Sequence, residues 1–281
     1  LLIRYTMPYS KAEERRSGCL ILAGGQGTRL GFKGPKGCVE LPLEKKKTLF
    51  QILLEKIKDP NAPLAIMTSP LNHEETHAYL KKEGFFGLKN VVLFKQKAEG
   101  GYPDGNGKAF TYFCQAGICD KWEKMGVKYL QVLPIDNPLA TPLDEELLNA
   151  NQGVDLVLRG IKRTSFNEKM GVILTGEKLR VEEYTETTHA KEKFLGNTGI
   201  FSCTLDFVKY GSTLSLPVHR IQKKINGSWI SKKEYFIFDL FPYAKNFKIL
   251  LSDRTECFAP IKSAHDLKPN FRYNSCKKYL G

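Results

Sequence analysis

From residue 19 to residue 36 an apolar run empties directly into small residues: Cys19-Leu-Ile-Leu-Ala23, then Gly24-Gly-Gln-Gly-Thr-Arg-Leu-Gly31, then Phe32-Lys-Gly-Pro-Lys36. An uninterrupted apolar run of strand length belongs inside a sheet covered on both faces. Glycines at its exit let the backbone approach a ligand closely and turn N–H groups toward anionic oxygens. Arg29 and Lys36 bring positive charge to the same loop, as phosphate handling requires. Two common phosphate loops are excluded by spacing. The residue three after Gly27 is Leu30, so no Gly-x-Gly-x-x-Gly forms, and no Gly-Lys-Ser/Thr closes a P-loop.

The rest of the chain fits an α/β fold. From Gly18 to about Pro142, short apolar runs alternate with helical periods, which predicts stacked βα units with strands at Cys19–Ala23, Leu64–Thr68, Val91–Phe94 and Tyr129–Leu133. Thr48-Leu-Phe-Gln51 reads as a capping box opening a helix with Leu49, Ile52, Leu53 and Ile57 on one face. Thr141-Pro142 predicts a second helix start, with Asp144 near its dipole. Past Asn151 the texture turns to mixed sheet. Strands are expected at Val154–Leu158, Gly171–Leu174, Leu179–Tyr184, Thr198–Cys203 and Phe247–Leu251, with Phe236 to Ala244 helical. No internal repeat or linker divides the chain.

Charge and cysteines narrow the function classes. The 281 residues carry 43 Lys+Arg against 30 Asp+Glu, a net charge of +13, and residues 1–60 hold 12 cations against 6 acids. Several of those cations sit beside the glycine loop, and no RNA-binding or zinc-finger pattern accompanies them, so no nucleic-acid partner is expected. No apolar run approaches the ~18 residues of a membrane span, so no membrane partner is expected either. Seven cysteines without a Cys-x-x-Cys pair, and an opening stretch without signal-peptide features, predict reduced thiols in a cytoplasmic protein. The start at Leu1 and the basic tail predict a fragment of something longer. Oligomeric state is not legible.

Leu22-Ala-Gly-Gly-Gln-Gly-Thr-Arg-Leu-Gly31 with Pro35-Lys-Gly37 resembles the signature of the eukaryotic-type UDP-N-acetylhexosamine pyrophosphorylases, relatives of the UDP-glucose pyrophosphorylases. The likeness continues in family order through Thr48-Leu-Phe-Gln-Ile52, Ile66-Met-Thr-Ser69, Phe86-Gly-Leu-Lys89, Pro103-Asp-Gly-Asn-Gly107 and Ile135-Asp-Asn137. Beyond residue 150 it runs through Val181-Glu-Glu-Tyr-Thr-Glu186, Gln222-Lys-Lys-Ile225, Phe236-Ile-Phe-Asp239 and Ala259-Pro-Ile-Lys262. The resemblance implies a nucleotide-diphospho-sugar transferase fold, a Rossmann-like mixed sheet flanked by helices. It implies a residual N-terminal segment at 1–17, a catalytic domain at 18–265 with a nucleotide half (18–150) and a sugar half (151–265), and the start of a C-terminal domain at 266–281. The activity implied is uridylyl transfer from UTP to N-acetylglucosamine 1-phosphate with Mg²⁺, by in-line attack of the sugar phosphate on the UTP α-phosphate, giving UDP-N-acetylglucosamine and pyrophosphate. A UDP-glucose or broad UDP-sugar pyrophosphorylase is the alternative.

Site roles follow from the same resemblance. Arg29 corresponds to the arginine on the departing pyrophosphate, Lys36 to the lysine at the α-phosphate and Lys262 to the lysine reaching the sugar phosphate. Leu22, Ala23, Gly24, Gly25, Gln96, Gly105 and Asp136 correspond to nucleotide-binding positions, with Asp136 also at the metal. Asn106, Glu183, Asn197, Phe236 and Phe238 correspond to the sugar pocket. Three departures stand out: Asn197-Thr-Gly-Ile200 ends in an aliphatic residue instead of a second amide, Glu182 replaces an expected valine, and Gly34-Pro-Lys36 is closer to the UDP-glucose branch.

Other chemistries compete on paper. His73-Glu-Glu-Thr-His77 has the spacing of a zinc-protease helix, but its flanks are polar and short, which predicts an ordinary exposed helix. Asp206, Ser215 and His219 lack a nucleophile elbow. A non-catalytic nucleotide-sugar-binding or RNA-binding module is the reading from a different class.

Overall fold

The computed structural model describes residues 16–99, 101–165, 167–183, 195–225 and 228–268. Strand β1 (Arg16–Leu22) leads through the glycine loop and a small ladder, β2 (Glu40–Leu41) with β3 (Lys47–Thr48), into helix α1 (Leu49–Leu54). Strand β4 (Leu64–Thr68), helix α2 (His73–Lys82) and strand β5 (Val91–Lys95) follow. A second ladder, β6 (Ala98–Glu99) with β7 (Tyr102–Pro103), precedes helices α3 (Ala109–Gln115) and α4 (Ile118–Lys124). Strand β8 (Val127–Pro134) and helix α5 (Glu145–Ala150) complete this part. β1 pairs in parallel with β4 and β8, and β4 with β5, so the four carboxyl ends share one edge.

The second part holds β9 (Leu156–Lys162), the hairpin β10 (Val172–Leu174) with β11 (Arg180–Glu182), and the long β12 (Leu195–Thr204). Helix α6 (Leu205–Ser212), the separate hairpin β13 (His219–Ile225) with β14 (Ser228–Glu234), β15 (Phe247–Leu251) and α7 (Arg254–Cys257) follow. β12 runs antiparallel to both β8 and β9 and joins the two parts into one nine-stranded sheet, β11-β10-β12-β8-β1-β4-β5, with β9 and β15 off that path. Because side chains alternate along a strand, the sheet carries a separate apolar layer on each face. Ile21, Ile66, Leu133, Val157 and Leu250 belong to one layer, and Leu20, Met67, Val132, Leu158 and Ile249 to the other. Each layer draws on both parts of the chain. Among the described residues no helix is long and apolar enough to cross a membrane.

Local differences from the sequence expectations have identifiable causes. Thr48 caps α1 by accepting from the Gln51 N–H at 3.1 Å, but Gln51 turns its amide to Glu55 at 2.8 Å, so only half of the capping box forms. The helix ends at Leu54, and Ile57 packs from beyond it. Thr141-Pro142 starts no helix: Leu143 is left-handed at φ 56°, and Asp144 takes the cap by accepting from the Leu147 N–H at 3.1 Å. Phe236 to Ala244 becomes a 3₁₀ turn over Ile237–Tyr243, with Pro242 inside it. Tyr184 lies outside the described residues, as do Thr185 and Glu186.

Candidate functional site at the carboxyl edge of the sheet

In open α/β sheets, ligands bind in the crevice beyond the carboxyl ends of the strands, and here β1, β4, β5 and β8 each deliver a loop to that edge. The loop after β1 folds back on itself. Gly27 N–H donates to the Gly34 carbonyl at 2.8 Å, and Lys36 N–H to the Gly25 carbonyl at 3.0 Å. A 3₁₀ turn over Thr28–Leu30 ends at left-handed Gly31 (φ 75°) and leaves Arg29 exposed at the tip, with no hydrogen bond or ion pair among the described residues. The amides of Gly24, Gly25 and Gln26 donate to no acceptor among the described residues, so the loop presents a run of available N–H groups. Gly24 is required for a second reason, since a Cβ there would run into Oε1 of the buried Gln96.

Asn72, only 1 % exposed, fixes this loop from α2's cap position. Its Nδ2 donates to the Ala23 carbonyl at 2.9 Å and the Gly25 carbonyl at 3.0 Å, while its Oδ1 accepts from the Ser69 N–H at 2.8 Å. Ala23 N–H donates to the Met67 carbonyl, and the Leu22 carbonyl accepts from Ile135 N–H. Through these bonds Leu22 and Ala23, both expected at the nucleotide, are anchored to the sheet and its loops at the floor of this edge.

Lys36, 7 % exposed, reaches across to Asp136 at 3.2 Å beyond the end of β8. A buried ammonium without a partner would be costly, so each charge holds the other in place. Asp136 keeps its second carboxylate oxygen free of partners among the described residues. Its carbonyl accepts from Ile261 N–H at 2.8 Å, one residue before the exposed Lys262. Asn137, 0 % exposed, secures the same segment: Nδ2 donates to the Cys257 carbonyl at 2.7 Å and Oδ1 accepts from Ala259 N–H at 3.1 Å.

Gln96 and Gly105 lie at either side of the β6–β7 ladder, closed by Asp104 N–H on the Lys97 carbonyl at 3.1 Å. Gly105 is left-handed (φ 87°), and a Cβ there would stand 2.5 Å from the Tyr235 carbonyl oxygen, so no other residue fits. Asp104 accepts from the Tyr112 hydroxyl, and burial followed by this hydrogen bond pushes the phenol's pKa up. Asn106 spends Oδ1 on Ile237 N–H at 3.1 Å, which ties the loop to Phe236.

The residues expected at the sugar pocket divide. Asn197 is 8 % exposed and its Oδ1 accepts from Gly199 N–H at 3.1 Å within an irregular stretch of β12. A Cβ on Gly171 would approach both Asn197 and Glu183, so those two side chains flank one glycine. Gly199, left-handed at φ 77°, lies against Pro134, two residues before Asp136. Phe236 packs its ring on His219 at 4.5 Å, and His219 in turn contacts Asp239 at 2.8 Å. Phe238, half-buried like Phe236, packs instead on Phe241 at 5.8 Å, against one apolar layer of the sheet.

Asn72 and Asn137 are the residues that sequence reasoning missed. Their only signal was a short amide in a strand-to-helix turn, where Asn commonly bonds local backbone. The two histidines with zinc-protease spacing both lie on α2. His73 Nδ1 sits 2.7 Å from the Thr68 hydroxyl, His77 is exposed, and among the described residues no group of three His, Cys, Asp or Glu could hold a metal ion.

Comparison with known proteins adds an independent line. The sequence profile of the UTP–glucose-1-phosphate uridylyltransferases matches residues 10–267. UDP-N-acetylglucosamine diphosphorylase 2 of Arabidopsis thaliana is 31 % identical over 90 % of this chain and 62 % of its own length. The probable UDP-N-acetylglucosamine pyrophosphorylase of Encephalitozoon cuniculi is 32 % identical over 90 % of this chain and 82 % of its own. Among solved structures, the uridine diphosphate N-acetylglucosamine pyrophosphorylase of Trypanosoma brucei superposes with a TM-score of 0.78 at 25 % identity, covering 94 % of this chain and 64 % of that one. The chain therefore spans about three fifths of the Arabidopsis relative.

Proposed function

The chain belongs to the UTP–glucose-1-phosphate uridylyltransferase family, and from that membership we propose that it transfers uridylyl from UTP to N-acetylglucosamine 1-phosphate. The observation that carries this reading is the buried Lys36–Asp136 pair set against the available amides of Gly24, Gly25 and Gln26. A phosphate oxygen of the sugar phosphate attacks the UTP α-phosphorus, a new P–O bond forms, and the bond to the bridging oxygen breaks to release pyrophosphate. Such in-line transfer needs positioning and charge neutralisation more than a protein nucleophile.

The residues divide that work. The loop amides and Lys36 hold the triphosphate, Arg29 at the exposed tip meets the charge that grows on pyrophosphate, and Lys262 holds the incoming sugar phosphate. A preorganised donor of this kind contributes about 3–4 kcal/mol to the transition state. Gln96 and Gly105 hold the base, and Asn106, Glu183, Asn197 and Phe236 the sugar. The donor set fits Mg²⁺, which favours one or two carboxylates together with phosphate oxygens. Asp136 would hold it through the oxygen Lys36 leaves free, and the ion would neutralise triphosphate charge. The free thiols of Cys19, Cys38, Cys114, Cys119, Cys203 and Cys257 suit a reducing cytoplasm.

One observation favours a glucose-type second reading. Ile200, in place of a second amide, is 2 % exposed and belongs to the apolar layer, so it offers the sugar no hydrogen bond. The discriminating experiment is pyrophosphate release from UTP and Mg²⁺ with N-acetylglucosamine 1-phosphate, N-acetylgalactosamine 1-phosphate or glucose 1-phosphate, and with ATP as the nucleotide control. Preference for an N-acetylated sugar is expected. Preference for glucose 1-phosphate would transfer the assignment to the second reading, and no release by folded protein would remove both.

A further inference from the structure

The backbone that carries Lys262 is pinned by the carboxylate of Asp266. Asp266, 9 % exposed, belongs to a 3₁₀ turn over Ala264–Leu267 and directs its side chain back to the residues that precede the turn. Its Oδ2 accepts from the Lys262 N–H at 2.7 Å, the Ser263 N–H at 2.7 Å and the Ser263 hydroxyl at 3.2 Å. The Asp266 N–H closes the turn on the Ser263 carbonyl at 3.0 Å. A capping box calls on the carboxylate only for the N–H of the cap residue, which is Ser263 here. The bond to the Lys262 N–H lies outside the turn and is additional to it.

Two successive N–H groups held on one oxygen fix the backbone torsion between them, and with it the direction in which the Lys262 side chain departs. On the other side, Ile261 is 0 % exposed and its N–H is bound by the Asp136 carbonyl. Lys262 is thus held from both sides, although its own side chain is exposed. The turn is seated as well: Leu267 packs on the apolar layer that contains Leu30, and the turn lies against the Thr28–Leu30 turn that carries Arg29. Lys262 and Asp266 line a cavity of about 200 Å³ together with Glu168, Lys169, Arg254 and Phe258. Glu168 is taken by Arg254 at 2.8 Å, and Asp266 by the backbone. The ammonium groups of Lys169 and Lys262 make no hydrogen bond or ion pair among the described residues, so the charge this cavity offers a ligand is positive.

We propose, resting on the uridylyl-transfer reading, that Asp266 is a positioning residue that aims Lys262 at the phosphate of the incoming sugar 1-phosphate. It touches neither substrate nor metal and acts through the Lys262 backbone. A long flexible side chain delivers its charge to one place only when the backbone beneath it is fixed, and a misplacement of about 1 Å costs ~10²-fold in rate.

The test measures pyrophosphate release by the whole chain, varying UTP and N-acetylglucosamine 1-phosphate separately, or glucose 1-phosphate if the chain prefers it. Asp266→Ala is expected to raise KM for the sugar phosphate about tenfold and to leave KM for UTP within about twofold. Asp266→Asn keeps an acceptor oxygen and should stay within about threefold of the parent. In a Lys262→Ala background, Asp266→Ala should add less than about twofold, because residues that act as a unit are not additive. Amide hydrogen exchange supplies a readout that needs no turnover: the Lys262 and Ser263 amides should exchange about tenfold faster in Asp266→Ala than in the parent. If the alanine variant does not fold, Asp266→Glu, with its oxygen displaced by one methylene, carries the kinetic test with an expected rise of about threefold in the same KM. Equal rises in both KM values, an asparagine variant as impaired as the alanine, a full loss on top of Lys262→Ala, or unchanged amide exchange would overturn the positioning role. With an active parent those results strike that role alone, whereas a folded parent that releases no pyrophosphate strikes the uridylyl reading and the phosphate role of Lys262 with it.

Discussion

In residues 18–150, the half proposed to bind the nucleotide, the candidate ligand groups hang from parallel strands and are fastened by asparagines 1 % and 0 % exposed, Asn72 under the glycine loop and Asn137 beneath the Lys262 segment. In residues 151–265, the half proposed to bind the sugar, the corresponding groups ride on an irregular stretch of β12 and on the residue after the three-residue strand β11. Buried polar groups must be satisfied or they cost stability, so each asparagine that completes several backbone bonds makes the loop above it hard to move. Asn197 is held by its own turn instead, through Gly199. The difference teaches that the edge proposed to bind phosphate is fixed by the sheet itself, while the part proposed to face the sugar is built from local devices that a few substitutions can reshape.

The contrast can be broken by experiment, beginning with the largest effect. Lys36→Met should lower kcat for pyrophosphate release by about 10²–10³-fold, because it removes a preorganised charge from the transition state; activity within threefold of the parent would sink the phosphate-edge assignment. Arg29→Ala should lower kcat at least tenfold with no change in melting temperature, since the side chain is exposed and unpaired among the described residues. Asn72→Ala should destabilise by about 1–3 kcal/mol by leaving the Ala23 and Gly25 carbonyls short of a donor. The same variant should raise KM for UTP, and denaturant unfolding together with saturation kinetics would read both effects. Asn197→Ala should raise KM for the sugar phosphate about tenfold while leaving KM for UTP alone, a loss of roughly 1.4 kcal/mol of binding; a matching rise for UTP would merge the two halves into one unit. His77→Ala should leave turnover and zinc content unchanged, as expected for an exposed ring on an ordinary helix, and metal analysis of the purified chain checks it.

Much of the architecture was legible because it rests on short-range periodicity. Leu64–Thr68 and Phe247–Leu251 form the expected strands to the residue. Thr48 caps its helix as its spacing requires. Helix starts that depend on competing polar side chains were less legible. Asp144 takes the cap from Thr141 and also binds Arg159 at 2.8 Å, and Arg159 is contributed by β9, a strand whose place in the sheet no local pattern announces. For the same reason Phe236 and Phe238 looked alike in sequence, although one ring packs on His219 and the other on Phe241.

The sequence by itself determined the glycine loop with its two cations, the stacked βα units of the first half and the family resemblance, since each is written in residues close together along the chain. Only the tertiary structure decided which polar groups were already spent. Ala23 lost its backbone to Met67 and Asn72, Lys36 found Asp136 a hundred positions away, and Asn137 reached Cys257 across 120. The physical reason is that satisfying a buried polar group is a property of the whole packed interior, and no window of sequence contains both partners.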